Sequence, residues 1–172
     1  MLFCVNTRQI LDFTLIMLNL VGEYEISLDA KGRFLLPASF RKQLPEGSGE
    51  RFVINRGFEN CLTVYPLDTW NKIAAEVDGL SDFKPEVRKF KRLFRNGASF
   101  VDVDSAGRIL VPKMLLEHAG ITKDKDMVFT AQGNKVELWD KDTYYAYIND
   151  YKDDFSDLAE RVTGGNVNQS DN

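Results

Sequence analysis

Cysteine and histidine are nearly absent: two Cys and one His in 172 residues. Cys4 and Cys61 stand far apart, with no CxxC and no Cys/His cluster, so the sequence offers neither a disulfide framework nor a zinc site. Such usage fits a reducing cytoplasm. The common catalytic signatures are missing as well: there is no G-x-S-x-G, P-loop, G-x-G-x-x-G or H-E-x-x-H. His118 lies in a short apolar stretch that reads as a helix, where a packed structural role outweighs catalysis. Asp102 and Asp104 alternate along a strand-like segment and share one face, as a metal or acid–base pair would. With no third ligand, they read better as a solvated Asp102 and a turn-shaping Asp104. The expectation is a protein that is no enzyme and needs no cofactor.

Long apolar runs are also missing. Residues 1–20 are apolar-rich, but Arg8 and Asp12 interrupt them, and neither a basic start nor an A-x-A-like cleavage site accompanies them. They are read as a leader, with Met17 as the expected natural start and residues 1–16 as an over-read segment. Net charge is −4, which argues against a nucleic-acid partner until its distribution is considered. Residues 21–96 hold 13 Lys/Arg against 11 Asp/Glu, whereas residues 97–172 hold 8 against 14. The acid falls late in the chain and the basic residues cluster in the middle.

What is present is a repeat. Asp29-Ala-Lys31-Gly32-Arg33 followed by Phe34-Leu-Leu-Pro37 returns 75 residues later as Asp104-Ser-Ala-Gly107-Arg108 followed by Ile109-Leu-Val-Pro112. Tyr65…Asp68-Thr-Trp70 returns as Trp139…Asp142-Thr-Tyr144 at an offset of 74, after a one-residue deletion. In each copy a strand (alternating Tyr24, Ile26 and Leu28 in the first) leads into a turn that Gly permits and Asp can brace. A second short strand and proline follow, then a short helix, over Ala38–Leu44 and Lys113–Ala119, with Gly120 as a stop. A hairpin comes next: Phe52–Asn55 with Leu62–Tyr65, and Val128–Ala131 with Val136–Trp139. Asp68, and Asp142 or Asp140, read as N-caps of longer helices. Strands this short cannot bury their apolar faces alone, so the copies must pack together or against other chains.

Between the copies, Lys84–Arg95 carries six basic residues and one acid in twelve, with Val87, Phe90 and Phe94 on one helical face. A basic helix near nucleic acid and a solvated helix balancing acidic neighbours both fit, the second slightly better. After the second copy, Tyr144, Tyr147, Ile148, Tyr151, Phe155 and Leu158 recur at three- and four-residue spacing, as in one amphipathic helix with an acidic face. The polar, glycine-rich end from Gly164 reads as disordered.

The paired Asp-x-x-x-Arg motifs, each followed by an apolar triplet and proline, resemble the MraZ family, which is similar to the AbrB-type swapped-hairpin proteins. The likeness runs from about Val21 to Arg161. It implies an α+β, β-rich fold in which two tandem swapped-hairpin units form one pseudo-symmetric body with peripheral helices. Expected boundaries are a leader at 1–20, a first unit at 21–80, a basic helical linker at 81–97, a second unit at 98–150 and an acidic helix end and tail at 151–172. It also implies a homo-oligomeric ring that binds double-stranded DNA at direct repeats upstream of the division and cell-wall genes, mostly as a repressor, in the cytoplasm and on the nucleoid. Arg33 is then the first candidate DNA contact and Arg108 its counterpart, with Lys31, Arg41 and Lys42 as flanking cations. Asp29, Gly32, Asp104 and Gly107 would shape the turns. Arg33 has a second reading, a salt bridge to Asp29; Lys31 in the same turn tilts the choice toward DNA. In the second turn Ser105-Ala106 replaces Ala30-Lys31, which makes its part in binding weaker. The rival to a regulator is an antitoxin-like interaction module using the acidic C-terminal helix.

Overall fold

The computed structural model describes residues 18–164. The expectations for the start at Met17, for residues 1–16 and for the tail after Gly164 lie outside that range. Leu20, the last residue of the stretch set apart as a leader, bridges to Gly133 and is buried.

Eight strands and six helices follow in order among the described residues: β1 (Glu23–Ile26), β2 (Arg33–Leu35), α1 (Ala38–Arg41), β3 (Arg51–Arg56), β4 (Leu62–Pro66), α2 (Leu67–Gly79), α3 (Pro85–Arg95), β5 (Ser99–Asp102), β6 (Arg108–Leu110), α4 (Lys113–His118), β7 (Met127–Ala131), β8 (Val136–Asp140), α5 (Lys141–Tyr151) and α6 (Phe155–Thr163). Six strands form an antiparallel sheet in the order β1-β7-β8-β4-β3-β5, and β2 with β6 form a separate antiparallel ribbon.

The strands are swapped between copies. β1 of the first copy pairs with β7 of the second, and β5 of the second pairs with β3 of the first. The sequence repeat becomes a spatial twofold with matching register. In the ribbon Phe34 lies opposite Ile109, its own counterpart in the repeat. At the sheet centre Thr63 lies opposite Glu137, again its counterpart. Neither copy could close its core without the other, and the expected pseudo-symmetric α+β body is what the chain forms.

Alternation along the strands serves two buried faces. Phe52, Ile54, Met127 and Phe129 join the main core with Phe34, Phe40, Ile109 and Leu115, beneath the ribbon and the short helices. Val53 and Tyr65 turn the other way onto Trp70 and Ala74 of α2. Val128, Trp139 and Cys61 do so onto Tyr144 of α5. Polar contacts dock α5 on β1: Tyr144 donates to Glu23 at 2.6 Å and Lys141 to Glu25 at 2.8 Å.

One local alternative is resolved and two expectations change. Asp140, not Asp142, caps α5, accepting from Thr143 N at 3.0 Å. Asp68 falls inside the first turn of α2, whose cap position is Pro66 with no side-chain bond. The single C-terminal helix is two, α5 and α6, broken at Lys152–Asp154; apolar spacing continues across the break, but three consecutive charged residues there give the turn no apolar contact to hold it.

Candidate nucleic-acid interface

Each Asp-x-x-Gly-Arg segment folds into the same braced turn. In the first, Asp29 Oδ1 accepts from the backbone N–H of Lys31 at 2.9 Å and of Arg33 at 3.0 Å. Its Oδ2 accepts from Arg33 Nε at 2.7 Å and lies 2.6 Å from Nη2. In the second, Asp104 Oδ1 accepts from Ala106 N and Arg108 N, both at 2.9 Å, and Oδ2 meets Arg108 Nε at 3.0 Å and Nη2 at 2.9 Å. Gly32 and Gly107 hold φ of +81° and +79°, the left-handed region that a side chain would strain. The residue types follow from this geometry: a short carboxylate reaches two amides and a guanidinium at once, and glycine completes the bend.

These bonds set the charge. Arg33's side chain, with the backbone amides, holds Asp29 down from 3.8 to about 2. The Arg108 backbone N–H, then its guanidinium, lowers Asp104 as well.

The ribbon brings the two motifs side by side. Arg33 Nη1 stands 3.7 Å from Asp104 Oδ2, and Arg108 Nη1 stands 4.0 Å from Asp29 Oδ2. Four residues thus form one cluster of two cations and two anions, about a quarter to a third exposed. Leu35 and Leu110 share that face of the ribbon and are 62% and 54% exposed. Both readings of Arg33 meet here. The salt bridge to Asp29 exists, and it uses Nε and Nη2 while Nη1 has only the long approach to Asp104. A guanidinium held by one edge keeps donors for a phosphate or a base at the other.

The remaining candidates divide unevenly between the turns. Lys31 is exposed in the first turn and has no ion-pair partner among the described residues. Arg41 lies against the second turn: a Cβ on Gly107 would stand 3.2 Å from its Nη1. Leu116, the repeat counterpart of Arg41, lies against Gly32 in the same way. Lys42 is exposed beyond α1. Lys123, which sequence reasoning missed, donates its ammonium to Ala30 O at the first turn; its repeat counterpart is Ser48, so periodicity gave no signal for it.

Elsewhere the charge is spent on structure. In α3, Lys91 meets Asp82 at 2.8 Å, Arg95 grips both oxygens of Asp78 at 2.8 and 2.7 Å, and Arg88 donates to two backbone carbonyls. Phe94 stacks on Trp70 at 5.2 Å. Lys91, Arg95 and Arg88 serve the fold, whereas Lys84, Lys89 and Arg92 have no ion-pair partner among the described residues. Asp102 is held by Arg51 Nε at 2.8 Å and Asp104 belongs to its turn, so the two do not form a shared site. Burial pushes the Cys61 thiol up to about 12, far from nucleophilic. No helix among the described residues is long and apolar enough to cross a membrane.

The sequence matches a family profile described as "MraZ protein, putative antitoxin-like" twice, over residues 20–93 and 94–166. It is 45% identical over 149 residues to the Transcriptional regulator MraZ of Christiangramia forsetii, covering 86% of this chain and 95% of that protein. It is 40% identical over 148 residues to the protein of the same name from Thermoanaerobacter sp., covering 86% and 99%. Among solved structures it is similar to the solution structure of PHS018 from Pyrococcus horikoshii at 16% identity, over 71% of this chain and 91% of that one, with a TM-score of 0.29 that bears no weight.

Proposed function

The chain belongs to the MraZ family, and we propose that it regulates transcription by binding double-stranded DNA through the β2–β6 ribbon. Arg33 is the leading contact, with Lys31 beside it and Lys42 flanking; Arg108 plays the weaker counterpart, with Arg41 against its turn. Copies assemble into a homo-oligomeric ring that reads promoter direct repeats ahead of division and cell-wall genes and represses them, on the nucleoid in the cytoplasm.

One observation carries the reading: two guanidiniums, a quarter to a third exposed and each braced by its own aspartate, are presented side by side on one ribbon, next to a Lys31 that has no ion-pair partner among the described residues. Bracing fixes the fork before any partner arrives, so less side-chain freedom is lost on contact. The cluster itself is neutral, so a single body binds weakly. Several bodies on several repeats gain roughly a hundred-fold or more in avidity when the spacing fits.

The test is a titration of wild type and Arg33→Ala on the DNA upstream of the gene, at two salt concentrations. Wild type binds with steep salt dependence, because phosphate contacts release counterions. The variant loses most of its affinity while its circular dichroism and oligomeric state stay unchanged. Equal binding by both, or no change with salt, contradicts the assignment.

A second reading rests on a separate surface. Ile148, Tyr151, Phe155 and Val162 of α5 and α6 are 43% to 71% exposed beside acidic residues, as a segment that grips a protein partner would be. Co-purification of one small basic protein, lost on Phe155→Ser, would favour it.

A further inference from the structure

The twofold fails at one place. In the first half, pairing continues beyond β1: Leu20 N donates to Gly133 O at 2.7 Å, Gly133 N to Leu20 O at 3.1 Å and Ala131 N to Gly22 O at 2.8 Å. Gln43 seals this end, its side-chain amide bonded to both the N–H and the C=O of Val21 at 2.9 and 2.8 Å. In the second half the equivalent pairing stops at Ile54 and Ser99. Helix α3 runs to Arg95, just ahead of β5, and Asn55 turns its amide to the Phe94 carbonyl while accepting from Arg56 N at 2.8 Å. Gly57 N bonds back within its own hairpin, to Cys61 O at 2.8 Å. The Asn55 bond thus ties the strand end to the helix in place of further strand pairing.

Between them lies a cleft of about 320 Å³, a size at the small end of ligand cavities. Three substitutions in the repeat line it: Arg56 where the first half has Ala131, His118 where it has Gln43, and Asn96 where it has Val21. Arg56 Nε and His118 Nε2 are both buried without a hydrogen-bond partner. Arg56 also forms no ion pair among the described residues, whereas Lys135 on the same wall is neutralised by Glu137 at 3.0 Å. Burial, with the Arg56 charge beside it, keeps the His118 imidazole below its ordinary range. Phe58, Phe90 and Phe94 complete the lining. Those two atoms are closed to water, so a ligand meets these side chains at Arg56 Nη1 and Nη2 and at His118 Nδ1, which are not closed off and make no hydrogen bond among the described residues.

We propose that this cleft binds a small organic anion, its carboxylate or phosphate head on Arg56 and His118 and its planar apolar body among Phe58, Phe90 and Phe94. A guanidinium without a counter-ion matches either head group, and the aromatic wall excludes fully hydrated ions. The site shares no residue with the two braced turns and stands whether or not they bind DNA.

His118 is the sole histidine, so its imidazole C–H resonance reports the cleft without assignment. The full chain is titrated with 1-naphthoate, phenyl phosphate, inorganic phosphate and the neutral 1-naphthalenemethanol. At least one aromatic anion moves the resonance saturably, about tenfold more tightly than the alcohol or inorganic phosphate, and the better of the two identifies the head group. Arg56→Met weakens that anion by about tenfold or more, and Arg56→Lys restores part of it. Phe58, 85% exposed, can be changed without touching the core, so Phe58→Glu supplies a loss of binding that unfolding cannot explain. No saturable shift at millimolar anion, a shift that Arg56→Met and Phe58→Glu leave unchanged, or inorganic phosphate binding as tightly as phenyl phosphate would overturn the proposal.

Discussion

The first turn carries Lys31 where the second carries Ala106, and the helix beside the second turn contributes Arg41 where the helix beside the first contributes Leu116. Backbone bonds, aspartate braces and glycine angles are nearly the same in both. The two turns therefore share the part that folds and differ in the cations placed beside it. The helix starts depart from this pattern: buried Asp140 caps α5 and its counterpart Pro66 leaves α2 without a side-chain cap, so a structural position differs there.

The sharpest way to break the comparison is at the axis. Phe34 is fully buried opposite Ile109, in a core both copies build. Phe34→Ala should cost about 3–5 kcal/mol, and chemical denaturation should still show one transition. Two separated transitions would mean that the halves fold independently. Next in size, Asp140→Ala should cost about 1–2 kcal/mol through the lost cap, measured by the same denaturation, whereas Pro66→Ala should change stability far less.

Acid titration compares the braces. Asp29 is lowered from its ordinary 3.8 to about 2, so its contribution is complete above about pH 4 and is lost as pH falls toward 2. Asp104 is lowered too and follows the same sign. Stability measured across that range should fall less steeply for Asp29→Asn than for wild type; an unchanged slope would show that the carboxylate is not held as described.

Much of this was legible in the chain. The repeat, both hairpins, both prolines and the turn glycines can be read directly, because each has a short-range cause. The strand swap needed the resemblance, since alternation such as Tyr24-x-Ile26 fits pairing with either hairpin. The break at Lys152–Asp154 was hidden by apolar spacing that runs straight through it. Arg33 stayed open between two roles because a sequence shows that Asp29 is near, not which edge of the guanidinium it occupies. Arg56 against Ala131 was a visible lapse in the repeat, but it acquires meaning only when His118, 62 positions along, closes over the same cleft.

The most direct test exchanges the difference between the turns. DNA affinity is measured across a salt series for wild type, Lys31→Ala and Ala106→Lys. If the ribbon is the DNA surface and the first turn its stronger half, Lys31→Ala lowers the salt slope by about one and Ala106→Lys raises it by about one per body engaged. If both slopes equal that of wild type, the ribbon does not face the phosphates, and the account of this surface is wrong.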